Sequence, residues 1–232
     1  MKLESSIAAL ARQRSHVLFI LSNPKQGHET AFLEWYQGVY REEILAQPGV
    51  LSLQHYEQHE IDVTQGQYPR LPFRCLGICA LSLDGAEQAS SLIDRISMLH
   101  RQQAAAEAPT TWLHYPVSEK AGRVPAQPHY MLSLAFANPV AGKEAEFREW
   151  YATRHIRHAL KIPALTSGQC FERTHYQKPG ALENMFQMIA VYEQVGTPEA
   201  ILASIAELEP AGELDFPTLD LAHFAEAVYR PL

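Results

Sequence analysis

Phe32-Leu33-Glu34-Trp35-Tyr36 returns as Phe147-Arg148-Glu149-Trp150-Tyr151, at an offset of 115 residues. The offset holds without a gap over a long window. Asn23-Pro24 meets Asn138-Pro139, Gly27 meets Gly142, Leu45 meets Leu160, Pro48 meets Pro163, Gln54 meets Gln169 and Glu57 meets Glu172. The 232 residues contain only three tryptophans, so two of them in one five-residue context are hard to attribute to chance. A match of this kind means that one structural unit occurs twice. Any fold for the chain has to accommodate two copies of one module.

Each copy reads in the same order. A β-type run opens it, at 16–21 and 130–136. Asn-Pro breaks the strand, because the residue before proline is pushed out of the helical region. A helix follows, expected over 29–46 and 143–161. In the second helix Phe147, Trp150, Tyr151, His155, His158 and Ala159 recur at three- and four-residue spacing and define one face. Pro48-Gly49 and Pro163 stop the two helices. Strands are expected at 50–57 and 75–83, with counterparts at 165–173 and 185–193. A second helix covers 86–106 in one copy and 198–208 in the other, and last strands cover 110–117 and 223–229. The order is β-α-β-β-α-β twice, the ferredoxin-like split-βαβ unit. The expected class is α+β, divided into a short amphipathic N-terminal helix (1–15), repeat one (16–117), a linker (118–128) and repeat two (129–232). A four-stranded sheet with helices on one face leaves its other face uncovered. Two copies can cover each other there.

Composition narrows the function classes. A net charge of −7 with no basic run lacks the footprint of a nucleic-acid binder. No apolar stretch reaches the roughly 18 residues of a membrane span, and the N-terminal patch is too short and too charged for a signal sequence. Cys75, Cys79 and Cys170 make neither a disulfide framework nor a zinc spacing; they are expected as buried small hydrophobes. The expected location is cytoplasmic, with no nucleic acid and no membrane as partners.

The string Phe147-x-x-Trp150-Tyr151-x-x-x-His155-Ile156, followed by Leu160, Pro163 and Phe171-Glu172-Arg173, resembles the dimeric α+β barrel superfamily, in its EthD-like and antibiotic-biosynthesis-monooxygenase-like branches. The similarity covers 16–117 and 129–230. Small members pair two chains into an eight-stranded barrel, so the resemblance implies two tandem ferredoxin-like repeats closing an eight-stranded α+β barrel within one polypeptide. It also implies a range of chemistries, among them cofactor-free oxygenation, isomerisation, dehydration and haem chemistry. Fold alone does not choose between them.

His155 is the candidate catalytic residue. The resemblance turns it toward a pocket between helix and sheet, where an imidazole could take a proton or hold a phenolic or carbonyl oxygen. Its counterpart in the first copy is Tyr40, a candidate substrate-binding residue that can donate a hydrogen bond but is a poor base at neutral pH. Trp35, Tyr36, Trp150 and Tyr151 are read either as core or as the lining of a cavity for a flat hydrophobic or aromatic ligand. Arg154 and His158 could receive an anionic group on that ligand. His155 and His158 lack a third ligand, so no metal is expected. Glu57 and Glu172 are expected in a salt bridge between the copies. The leading expectation is a small-molecule enzyme without a bound cofactor, acting on an aromatic or polyketide-like compound. The alternatives are a non-catalytic binding or scaffold protein and, last, a haem binder with His155 as axial ligand. Association into a homo-oligomer stays open.

Overall fold

The computed structural model describes residues 15–123, 131–177, 186–197, 199–200, 202–203 and 218–232. The N-terminal helix expected over 1–15 lies, apart from its last residue, outside that set. So do most of 198–208 and the linker residues 124–128. Nine strands are described: β1 (His16–Ser22), β2 (Val50–Gln58), β3 (Cys75–Leu81), β4 (Thr110–Pro116), β5 (Ala121–Gly122), β6 (Met131–Pro139), β7 (Leu165–Arg173), β8 (Met188–Gln194) and β9 (Leu219–Pro231). The helical segments are α1 (Glu29–Gln37), α2 (Val39–Leu45), α3 (Ala86–Gln102), α4 (Glu144–Trp150), a π-helical turn (Tyr151–His155) and α5 (Ile156–Ala159). No helix among the described residues is long and apolar enough to cross a membrane.

The strands form one antiparallel sheet in the order β4-β1-β3-β2-β9-β6-β8-β7-β5, and β4 also pairs with β7. Three registered pairs join β2 to β9, from Tyr56–Pro231 to Gln58–Tyr229. Three more join β4 to β7, from His114–Arg173 to Pro116–Phe171. The ladder therefore returns on itself through eight strands, and β5 hangs outside it. Within the expected linker Ala121 and Gly122 pair with Gly168 and Ser167, so part of that connection is woven into the sheet.

Period-two alternation sorts each strand into two faces. One face supplies a core shared by both halves, in which Phe19, Leu76 and Trp112 pack with Leu134, Phe171 and Ile189. The other face meets the helices. There Leu18, Ile20 and Leu53 pack beneath α1 to α3, and Ala135, Cys170 and Ala190 lie beneath α4 and α5. The offset seen in the sequence carries over into conformation. Gly27 and Gly142 have φ of +80° and +79°, and each amide donates to the glutamate two residues on, Glu29 or Glu144. Asn23 and Asn138 each accept, through Oδ1, a backbone N–H at the start of the third strand, from Arg74 and Gln187. Both second strands bulge at the same place, Val50/Ser52 and Leu165/Ser167.

Glu57 binds Arg74 of its own half and Arg230 of the other, both at 2.7 Å. At the position equivalent to Arg230 stands Tyr115, whose hydroxyl donates to Glu172 at 2.5 Å; Arg148 completes that cluster at 2.7 Å. The expected ion pair between halves is present at Glu57. At Glu172 a tyrosine takes over the crossing contact.

Candidate functional site

The opening helices depart from regular α-geometry at the same turn: the first is interrupted there, and the second stays helical through a π turn. In the first half Gly38 leaves the helical region, with φ −97° and ψ −105°, and separates α1 from α2. At the equivalent Thr153 the second half instead widens into the π-helical turn. The Thr153 hydroxyl donates to the Glu149 carbonyl at 2.6 Å, the back-bonding that bends helices. Turns of this kind gather at functional positions. This one ends on His155.

His155 is buried and lines a cavity of about 300 Å3, at the small end of the range for ligand sites. The Tyr151 ring stacks on it with centroids 4.5 Å apart and planes 13° apart. Trp150 lies 5.0 Å away, and Tyr192 meets it edge-on at 6.1 Å. Tyr151 is itself fixed by donating to the Ala135 carbonyl at 3.0 Å. The floor is small because β6 offers Ser133 and Ala135 to the helix side. On β7 Gly168 leaves room for Tyr192, its registered partner on β8; a Cβ there would stand 2.6 Å from the Tyr192 ring. Phe224 and Glu226 of β9 form one wall, and residues 63–68 of the β2–β3 loop form another.

Glu226 was not singled out from the sequence. Residues 224, 226 and 228 share one strand face, so Glu226 interrupts a buried face between Phe224 and Val228. That interruption was a readable signal, since charged residues rarely sit on a buried face without a role. Burial pushes the Glu226 carboxyl up to about 7, with the nearby Asp62 charge adding to the effect. Burial lowers His155 to about 3, assisted by His158. At neutral pH the cavity thus holds a neutral imidazole and a carboxyl poised between its two states. The Tyr192 phenol is driven well above its ordinary value by burial, and its hydroxyl has no hydrogen-bond partner among the described residues.

The structure brings some predicted residues together and separates others. His155 and His158 line the cavity, and Trp150 and Tyr151 pack against His155 from behind. Arg154 points to solvent on the opposite side of the turn. Trp35, Tyr36 and Tyr40 lie in the other half, in a filled core. There Tyr36 stacks on Tyr40 at 5.4 Å and on His55 at 3.8 Å, while His100 closes over Tyr40 at 4.7 Å. Among the described residues no group of three or more His, Cys, Asp or Glu side chains could hold a metal ion.

No family model matches the chain, and no curated protein matches it either. Solved structures share its fold. A candidate monooxygenase from Fusobacterium nucleatum subsp. nucleatum aligns over 94% of this chain and 93% of its own, with TM-score 0.57 and 9% identity. An anthrone oxidase-like protein aligns over 95% and 92%, with TM-score 0.54 and 9% identity. A variant chlorite dismutase from Candidatus Nitrospira defluvii aligns over 92% and 90%, with TM-score 0.53 and 11% identity. At such identities the likeness is one of fold: the chain is a mixed α+β protein built on a large antiparallel sheet.

Proposed function

We propose that the chain is a small-molecule enzyme of the monooxygenase-like kind, a fused duplication whose eight-stranded ring is the α+β barrel of the EthD-like and antibiotic-biosynthesis-monooxygenase-like branches. Its reaction begins by taking a proton from a phenolic hydroxyl, or from a carbon acidified by a neighbouring carbonyl. Support comes from one juxtaposition above all: Glu226 and His155 face the same cavity in complementary states. A base is most effective when its pKa lies near the working pH. Glu226 meets that condition with its carboxyl near 7. His155, down at about 3, is too weak a base for the task. The imidazole instead holds the oxygen on which negative charge develops, and the buried Tyr192 hydroxyl is a second donor to it. This moves the base from His155 to Glu226 and leaves His155 the oxygen-holding part of its expected role. The ligand is flat and aromatic, because the surroundings are rings and small aliphatic side chains with few polar groups. The neighbours named as a candidate monooxygenase and as anthrone oxidase-like agree with this reading.

Haem fits less well. A macrocycle of about 40 non-hydrogen atoms needs far more than the lower end of the 300–1,000 Å3 range of ligand cavities. The purified protein should show no Soret band.

The test is turnover on a panel of phenols and enolisable ketones. Glu226→Gln should lower kcat by roughly 10²–10⁴-fold, the usual worth of a general base. Tyr40→Phe should leave kcat unchanged. The activity should rise with pH through about 7 as Glu226 ionises, and Glu226→Gln should flatten that rise. Binding of the panel without turnover would favour the ligand-carrier alternative, and full activity in Glu226→Gln would remove Glu226 as base.

A further inference from the structure

The wall over the second-half cavity comes from the first half. The connection between β2 and β3 spans residues 59–74, and the corresponding connection in the second half spans 174–187. A connection of sixteen residues without regular structure is uncommon in a compact domain and is usually functional. Its path is fixed by the ring closure. β2 pairs with the end of β9, and the His59 amide then donates to the Val228 carbonyl at 2.7 Å, two residues from Glu226. Arg70 spans the stem, donating to the carbonyls of His59 at 2.6 Å and Glu60 at 2.8 Å. The tip is tied by Asp62, which accepts the amides of Thr64 at 2.9 Å and Gly66 at 2.8 Å and the Thr64 hydroxyl at 2.7 Å. Gln65 and Gly66 take φ of +51° and +81° to make that turn. So folded, the loop sets the Tyr68 ring edge-on against Phe224, with centroids 4.9 Å apart, and both residues line the cavity.

We propose that this first-half loop completes the second-half site, with Tyr68 as a specificity-determining wall for a planar aromatic ligand. The inference rests on the reading of the cavity as a ligand site, and it assigns the first half a part in that site.

The test is the affinity of the full-length protein for 2-naphthol, read by calorimetry in the wild type and in Tyr68→Ala. In Tyr68→Ala the affinity should weaken about fivefold, the worth of one aromatic contact. An unchanged affinity overturns the inference while leaving the cavity reading standing. A wild type that fails to bind 2-naphthol overturns the cavity reading for this class of ligand, and the wall assigned to Tyr68 with it.

Discussion

Beneath α1 and α2 the described side chains form a packed aromatic cluster, and beneath α4 and α5 part of the space between helix and sheet is open. The difference comes down to a few paired positions. Leu18 and Ile20 of β1 correspond to Ser133 and Ala135 of β6, so two aliphatic side chains on one side face a hydroxyl and a methyl on the other. Leu53 corresponds to Gly168 and His55 to Cys170, again large against small. β3 and β8 align at an offset of 113, shown by their registers with β1 and β6, and here the trade reverses: Cys79 corresponds to Tyr192. One half has spent its volume on packing. The other keeps a void with a tyrosine, a histidine and a glutamate around it. Among the described residues the two halves thus differ in side-chain volume at these paired strand positions.

Ways to break this comparison run from large effects to small. Ile20→Ala would open the packed half and should cost about 2–4 kcal/mol, the usual loss for a large aliphatic reduced to alanine in a core. Chemical denaturation measures it, and the binding of 2-naphthol should be unaffected. Ala135→Ile does the reverse, filling the second-half void. It should weaken 2-naphthol at least about tenfold, with a stability loss well below that of Ile20→Ala because the added carbons enter open space.

Acid should unfold the packed half through its histidines. His55 and His100 are held down at about 3 and about 4, both by burial first. A histidine whose pKa is depressed in the fold stabilises it above its unfolded value, near 6.5, and that stabilisation drains away as pH falls toward the folded value. Each should contribute a slope of about 1.4 kcal/mol per pH unit between pH 6 and 4. His55→Leu should remove one such slope in denaturation curves taken across that range. The smallest effect belongs to the seam between halves. Arg230→Ala removes one of two cations on Glu57, and should cost about 1 kcal/mol, since the arginine is largely exposed. Thermal unfolding in low and high salt should show that loss shrinking with salt.

Much of the fold was legible because the 115-residue offset is carried by backbone-directing residues. Asn-Pro, the φ-positive glycines and the helix-stopping prolines act locally and kept their offset. Strand β7 has the extent read from its sequence, while β9 runs from 219 to 231, well beyond the expected 223–229. Its added pairs with β2 depend on a partner distant in sequence, which no local pattern reports. The helix irregularities at Gly38 and Thr153 were missed because periodicity spans a single irregular turn without registering it. The aromatic string led to His155 and showed Tyr40 as its diverged counterpart, but it did not tell an open half from a packed one. Lining up the strands as well as the helices would have shown Leu18 against Ser133 and Ile20 against Ala135, and hence which half could be open. Glu226 was legible as a charge on an apolar face. The loop over it was not, because its place depends on how the two halves close on each other.

The most direct test is a ¹H–¹³C NMR titration with 2-naphthol that reads methyl and aromatic resonances of both halves at once. The expected result is a set of shifts at Ala135, His155, Tyr192 and Phe224, with Ile20, Tyr40 and His55 unmoved. Equal shifts in both halves, or shifts confined to Tyr40 and His55, would contradict the assignment of the open site to the second half.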